Sequence, residues 1–522
     1  MVGVVIVPDR LFKKLNTYIL PEWKVCFLSS LIVGFIAHFY KITNWLPNWD
    51  SLVFRYDAQN MLALGRWFLP VVCSFSSFYD LPFLNGLISI LFHSLGAVLI
   101  LRVLNVKSKI TALLIGAVFV SFPTVTSVMM YNYVADGYAI SFFLSSLAAY
   151  YMTREKPHYI ISILLIALST GIYQAYITVT IMLVLFKLID DIIFNNTTLI
   201  TVVKKGLCML ATGLLGVALY GIILKLLLLV FAEKLLDYQG INSTASLANI
   251  DIFGSLYSIK ETFMGCFFDL SEGLNVYVAL NIFVLAFTVI YYVKGIVKNK
   301  VYNNVLNVFL IAILSVLLIL GAGALAFLNA GIDYHNLMLM GYCVFYLFFI
   351  VLYERSTEKT YKSASVKCWI VFLTALIIAL NQIVIANVSY HKAQIAYEKS
   401  YGVLMRIADK VDRTEGTENC DKILVIGALD NSEAYSVNLT PDITGITDGY
   451  IIRADDETVH QSVLCSALND YCDKNYKFVS GKEKQAIMQN EKVKAMNSWP
   501  YEDCVMVHDG TIIIKLGTEG EN

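Results

Sequence analysis

YIISILLIALSTGIYQAYITVTIMLVLFKLI, residues 159–189, is the stretch on which the reading of the fold turns. As one straight helix its 31 residues would reach about 46 Å at 1.5 Å per residue, against a hydrocarbon core of roughly 30 Å. It is long for one span and short for two. Other apolar runs are plain: 25–42, 84–101, 110–129, 134–152, 206–231, 275–293, 303–328, 335–353 and 366–388. The distribution of basic residues decides between the two readings. If Gly171 breaks the run, the chain crosses eleven times with its N-terminus inside and its tail outside. The inner side then holds 19 Lys and Arg, among them Arg102, Lys187, Lys205 and Arg355, and the outer side only Lys41, Arg55, Arg66, Lys234 and Lys260. A single span would put the basic clusters at 294–300 and 355–367 outside. Two spans are expected.

Composition agrees with a membrane chain. Of the 522 residues, 57% are hydrophobic and 15% charged, against roughly 25% charged in soluble domains, and mean hydropathy is +0.65. The net charge of −1 hides an asymmetry. Residues 1–388 carry 25 basic and 18 acidic side chains (+7), whereas 389–522 carry 14 and 22 (−8). The expected architecture is a polytopic α-helical body over 1–388, with outer loops at 43–83 and 232–274, followed by a small extracytoplasmic α/β domain over 389–522. Nucleic-acid binding through bulk charge, disorder and a small disulfide scaffold are excluded. The N-terminus lacks the pattern of a cleaved signal peptide.

In the tail, KILVIGAL (422–429) reads as a buried strand and CVMVHDGTIIIKL (504–516) as a hairpin turning on Asp509–Gly510. Helical spacing covers 457–475 and 482–496, and 389–413 could continue the last span as a helix. Cys420 and Cys504, each before a strand, are the first candidates for a disulfide, with free buried thiols as the alternative.

Chemistry concentrates in the first outer loop, NWLPNWDSLVFRYDAQNMLALGRWFLPVVCSFSSFYDLPFLNG (44–86). Asp50, Arg55, Asp57, Arg66 and Asp80 lie there among Trp45, Trp49, Trp67 and Tyr79. Asp50 and Asp57 are seven apart, so both carboxylates could face one side of an interfacial helix. Bland readings compete: Asp50 as a helix N-cap, the aromatics as an interfacial belt. Asp136 at the outer end of a span, Tyr173 and Gln174 at the break, and Asp333 and His335 in a late outer turn are further candidates, each with a capping, packing or turn alternative. Lys225 lies inside a span. GAGA (321–324) reads as a helix-packing site and Asp190–Asp191 as an inner helix end. No motif calls for a metal or cofactor.

The motifs NWD, RYD and GRWFLP in this loop, YNYVADGYAIS (131–141), LSTGIYQAYI (168–177) and MNSWPYEDCVMVHDGTIIIKL (496–516) resemble, in that order, the O-antigen serotype-converting glucosyltransferase (Gtr-type) family of bacteria. That family is similar to the GT-C glycosyltransferases. The resemblance implies a GT-C-like fold in the cytoplasmic membrane, a polyprenyl-phosphate-linked sugar as donor (glucose by family) and a surface glycan as acceptor. By position it gives the role of base to Asp50, with Asp57 in reserve. Arg55, Arg66, Trp67, Asp80, Asp136, Tyr173, Gln174 and His335 are the expected substrate-binding residues. Where the family carries a basic residue in the late turn, this chain has Asp333-Tyr334-His335.

Chemical reasoning points to the same class. Nucleotide sugars are cytosolic, and the inner loops are short. A transferase working outside takes its sugar from a lipid carrier, needs a carboxylate to accept the acceptor's proton, and needs donors or cations for the departing phosphate. Base and leaving group on opposite faces imply inversion. A transporter or flippase, or a polymerase of lipid-linked sugars, is the alternative; the transporter would call for charges at the bilayer midplane.

Overall fold

The computed structural model describes residues 19–47, 49–53, 61–77, 79–195, 197–236, 251–269, 275–331, 334–356, 363–429 and 457–517. Proline opens several helices because its fixed φ suits the first helical position, where no amide is needed. Helices α1 (Pro21–Thr43) and α4 (Pro82–Val103) both begin this way. Between them lie two short pieces, α2 (Trp49–Val53) and α3 (Leu69–Cys73). Helix α5 (Lys109–Ser121) breaks at Phe122, and α6 (Pro123–Met130) leaves at 41° because Pro123 cannot continue the hydrogen-bond ladder. Helix α7 (Asn132–Thr153) follows after Tyr131.

The decisive stretch folds as two helices, α8 (Tyr159–Ile172) and α9 (Ile177–Ile193). Tyr173 is extended (φ −151°, ψ 114°) and a single 3₁₀ turn, Gln174–Tyr176, restarts the chain. The interruption falls two residues beyond Gly171. Helix α10 (Leu199–Val230) runs for 32 residues and turns Leu210, Leu214, Ile222 and Leu226 outward, as a lipid-facing wall does. In the expected outer loop 232–274 the chain forms α11 (Ile252–Phe268), capped by the Asp251 carboxylate, which accepts from Gly254 N–H at 2.9 Å. Asn275 and Asn304 cap α12 (Val276–Lys298) and α13 (Val305–Ala322) in the same way. A 3₁₀ stretch, Asn336–Tyr342, leads into α14 (Cys343–Ser356).

Among the described residues, seven helical segments are long and apolar enough to cross a bilayer, or eight if the bent α5–α6 pair is one span. That is fewer than the eleven expected. Helices α8 and α9 have only 14 and 17 residues, and α7 buries Asp136, Ser141, Ser145 and Ser146. Polar side chains facing neighbouring helices make a segment fit a bundle interior while lowering its hydropathy. The bundle core gathers around α1, α4, α5 and α7. At one close approach, a Cβ on Gly116 would meet the Cys26 carbonyl oxygen at 2.5 Å, so α1 and α5 touch backbone to backbone. A Cβ on Gly321 of the GAGA segment would meet the Ile181 side chain at 2.8 Å.

We call the end of the bundle that carries loop 43–83 the upper end. At the lower end, Asp190 and Asp191 close α9 with ion pairs: Arg355 Nε to Asp190 at 2.9 Å, and Lys187 and Lys205 to Asp191 at 2.5 and 3.1 Å. Arg355 also donates to the carbonyl of Leu104, tying α14 to the end of α4.

Helix α15 (Ser363–Arg413) has 51 residues, about 76 Å at the α-helical rise, and carries the chain past the expected boundary at 388. Its final turns, with Val403, Leu404, Ile407 and Val411, enter the core of the C-terminal domain. There β1 (Lys422–Ile426), α16 (Glu457–Tyr471), β2 (Lys477–Phe478), α17 (Gly481–Met488), α18 (Glu491–Lys494), β3 (Val505–His508) and β4 (Thr511–Lys515) build a sheet of order β2-β1-β4-β3. The pairs β1–β2 and β1–β4 are parallel, and β3–β4 is the antiparallel hairpin. Asp509 (φ 47°) and Gly510 (φ 71°) make its turn, both left-handed as a tight primed turn requires. The expected Cys420–Cys504 bridge is not formed; all ten cysteines are free. Cys504 is fully buried in the domain core, and burial pushes the Cys504 thiol up and that of Cys465 up to about 12.

Candidate functional site

At the upper end, Met61–Trp67 reverses direction on top of the α8–α9 break. Arg66 N–H donates to Met61 O at 2.6 Å and Gly65 N–H to Leu62 O at 3.0 Å. Gly65 has φ +78°, and a Cβ there would meet the Tyr220 hydroxyl at 2.5 Å, so only glycine fits. Three polar contacts fix the reversal. Tyr220 of α10 donates to Gly65 O (3.1 Å), while Gln174 Nε2 reaches both Leu64 O (3.1 Å) and the Tyr220 hydroxyl (3.2 Å). Phe68 N–H donates to Gly171 O at 2.8 Å, and the Trp67 ring covers Gly171, where a Cβ would stand 2.6 Å from the indole.

The reversal presents Arg66 to aromatic groups. Its Nη1 donates to the Tyr138 hydroxyl at 3.2 Å, and its guanidinium lies over the Tyr173 ring, 5.2 Å from the centroid. Tyr138 and Tyr173 stack at 4.4 Å. Arg66, Trp67, Tyr173 and Gln174, expected from separate parts of the sequence, are thus one constellation.

A second group lies beside it on the first turns of α7. Asp80 accepts from Asn132 Nδ2 at 2.7 Å, and Asn85 donates to the Asn132 carbonyl at 3.0 Å. Lys41 is fully buried, within electrostatic range of Asp80, and donates to Leu46 O at 2.5 Å. Tyr133 joins the two groups: its hydroxyl lies within electrostatic range of Asp50, Arg66 and Asp80. Asp50, in the first turn of α2, is 8% exposed.

The remaining expected residues fall elsewhere. Asp136 is fully buried between α7 and α3, accepting from Gly137 N–H at 2.9 Å, with Cys73 Sγ at 3.9 Å. The fold thus places it inside the helix packing, with no exposed surface. His335 caps the 3₁₀ stretch before α14: its Nδ1 accepts from Leu337 N–H at 3.3 Å and lies 3.4 Å from Ser127 Oγ, and its ring meets the Tyr131 edge-on. Arg55, Asp57 and Asp333 lie outside the described residues. Lys225 is exposed on α10. Among the described residues, no cluster of three His, Cys, Asp or Glu could hold a metal ion.

Tyr133, Tyr138 and Tyr220 were missed from sequence. The first two stand in YNYVADGYAIS, where the acidic residue drew attention, and nothing in the apolar run 206–231 marks Tyr220 as other than a lipid-facing aromatic.

Below the Tyr220–Gln174 contact, an apolar groove of about 470 Å³ runs between α9, α10 and α13, lined by Ile181, Leu185, Leu188, Leu210, Gly213 and Leu314 among others. A Cβ on Gly213 would meet nothing within 4 Å, so the groove is open there.

Long apolar helices beneath a recessed polar site define a polytopic membrane protein. Residues 39–352, which are 314 of the 522, match the family of glucosyl transferase GtrII, and the chain belongs to that family. Neither curated proteins nor solved structures give a match to it. The family covers both polar groups and the groove, and ends before α15 and the C-terminal domain.

Proposed function

We propose that this glucosyltransferase-family protein moves a sugar, glucose by family, from a polyprenyl-phosphate carrier to a surface glycan on the extracytoplasmic side of a bacterial cytoplasmic membrane. The observation that carries the reading is the Met61–Trp67 reversal, which holds Arg66 beside Tyr138 and Tyr173 at the head of an apolar groove. A phosphate on a long isoprenoid tail needs this pairing: a cation with hydroxyl donors for the head, and an oily channel for the chain. The basic residues support the orientation. Lys187, Lys205 and Arg355 gather at the lower end, as the positive-inside rule expects of a cytoplasmic face, and eleven crossings with the C-terminal domain outside follow from the same count.

In this mechanism Asp50 is the general base, with Asp57 in reserve. The acceptor hydroxyl oxygen attacks the anomeric carbon from the face opposite the phosphate, and its proton passes to the Asp50 carboxylate. The bond from the anomeric carbon to the phosphate oxygen breaks, and its electron pair leaves with polyprenyl phosphate. Configuration inverts. Arg66 neutralises charge growing on the leaving phosphate, aided by Tyr138 and, from outside the described residues, Arg55. Asp80 binds on the acceptor side.

The purified protein, given glucose on polyprenyl phosphate or on a nucleotide, tests this. Transfer from the lipid donor alone, with inversion at the anomeric carbon, is expected. Turnover with the nucleotide sugar in the absence of lipid would overturn the proposal.

A further inference from the structure

Helix α2 is five residues long, and isolated helices shorter than about 12 residues are marginal in water. Its orientation therefore comes from what it packs against. Leu52 is 4% exposed and belongs to the hydrophobic core of the C-terminal domain, with Val403, Ile407, Val463 and Leu464. Helix α2 lies against α16, and the Trp45 ring just before it stacks on Tyr471, centroids 5.7 Å apart at 28°. Tyr471 in turn meets Tyr401 of α15 edge-on at 5.6 Å, so the Trp45 stack continues into the long helix.

Two residues apart on an α-helix means about 200° around its axis. With Leu52 turned into the C-terminal domain, Asp50 turns away from it, towards the bundle, where Tyr133 lies within its electrostatic range. The short helix is thus held by the C-terminal domain on its Leu52 face, with Asp50 on the opposite side.

We infer that the C-terminal domain is a positioning element of the site, setting the Asp50 carboxylate through Leu52 and the Trp45–Tyr471 stack. The inference rests on the reading of Asp50 as the base. Leu52, Trp45 and Tyr471 touch no substrate; they fix where the base stands. A displacement of about 1 Å from remote packing costs on the order of 10²-fold in rate.

The test uses the full chain and the lipid-phosphate donor. Leu52→Ala lowers kcat about 10- to 10²-fold and leaves the donor KM within about two-fold, because the phosphate pocket around Arg66 is separate. Trp45→Ala, whose half-exposed ring leaves the domain core whole, lowers kcat in the same direction, while Leu52→Met and Tyr471→Phe keep it near the parent value. In an Asp50→Asn background, Leu52→Ala changes the residual turnover less than about two-fold, since residues acting as one unit are non-additive. An unchanged kcat in both Leu52→Ala and Trp45→Ala, or the same loss with and without Asp50, would overturn the inference while leaving Asp50 as the base. An Asp50→Asn enzyme with parental turnover would instead remove the base assignment, and the inference with it.

Discussion

The two ends of the bundle use the same side-chain types in opposite ways. At the lower end, Asp190 and Asp191 face Arg355, Lys187 and Lys205 at 2.5–3.1 Å, and these pairs join α9, α10 and α14 where each ends or begins. At the upper end, Arg66 leans on a tyrosine hydroxyl and a tyrosine ring, and Asp80 accepts from the Asn132 amide with buried Lys41 in its electrostatic range. A carboxylate matched to a cation is already neutralised and stabilises the fold. The Tyr138 hydroxyl and the Tyr173 ring set the direction of the Arg66 guanidinium. Ion pairs tie helix ends together at the lower end, and tyrosine and amide contacts shape the Met61–Trp67 reversal at the upper end.

The comparison can be broken most directly at Asp190. Asp190→Ala removes the carboxylate 2.9 Å from Arg355 Nε in a largely buried setting and leaves, among the described residues, only Glu354, at 4.0 Å; breaking such a pair costs about 3–5 kcal/mol. The thermal transition in detergent should fall steeply, while kcat per folded molecule stays near the parent value. A selective loss of kcat without a loss of stability would place chemistry at the lower end and undo the contrast.

Arg66→Gln comes next. It keeps a donor for the Tyr138 hydroxyl but removes the charge, so turnover with the lipid-phosphate donor should fall by about 10²-fold, the scale of losing a charge-assisted contact in a transition state. Stability should change little. Equal loss of thermal stability and activity would recast Arg66 as a structural residue.

Gly171→Ala sharpens the picture with a smaller effect. Its methyl group would stand 2.6 Å from the Trp67 ring, an overpacking worth about 1–3 kcal/mol. Because the Gly171 carbonyl also receives Phe68 N–H, the shift passes to Arg66, and the donor KM should rise. An unchanged KM would show that the reversal and the α8–α9 break are uncoupled.

Much of this architecture was legible. Hydropathy located the long helices, though α10 starts seven residues before the expected 206 and α15 runs 25 beyond the expected 388; the distribution of basic residues called for a break within 159–189, and Asp509–Gly510 announced its hairpin. Other features were not, for physical reasons. Eleven crossings were counted from charge, yet α8 and α9 are short because the chain turns at Tyr173, and α7 is polar because it faces other helices. Strand β2 has two residues, too few for a period-two pattern to register. Arg66 and Gln174 are 108 positions apart, and only the fold brings their segments together through Gly65 and Tyr220. Asp136 drew attention as a lone acid in an apolar span, and nothing in the sequence showed that it is fully buried between α7 and α3. Leu52, one of many apolar residues in loop 43–83, gave no hint that it completes the core of a domain whose first strand begins at residue 422.

The central claim is that a carboxylate on α2 takes the acceptor's proton. Turnover of Asp50→Asn with a polyprenyl-phosphate sugar donor tests it most directly, with Asp57→Asn measured beside it. The asparagine keeps size and hydrogen-bonding capacity but cannot accept the proton. The account predicts a loss of about 10²–10⁴-fold for Asp50→Asn, with donor binding and thermal stability retained and Asp57→Asn close to the parent enzyme. Near-parental turnover in Asp50→Asn would contradict it.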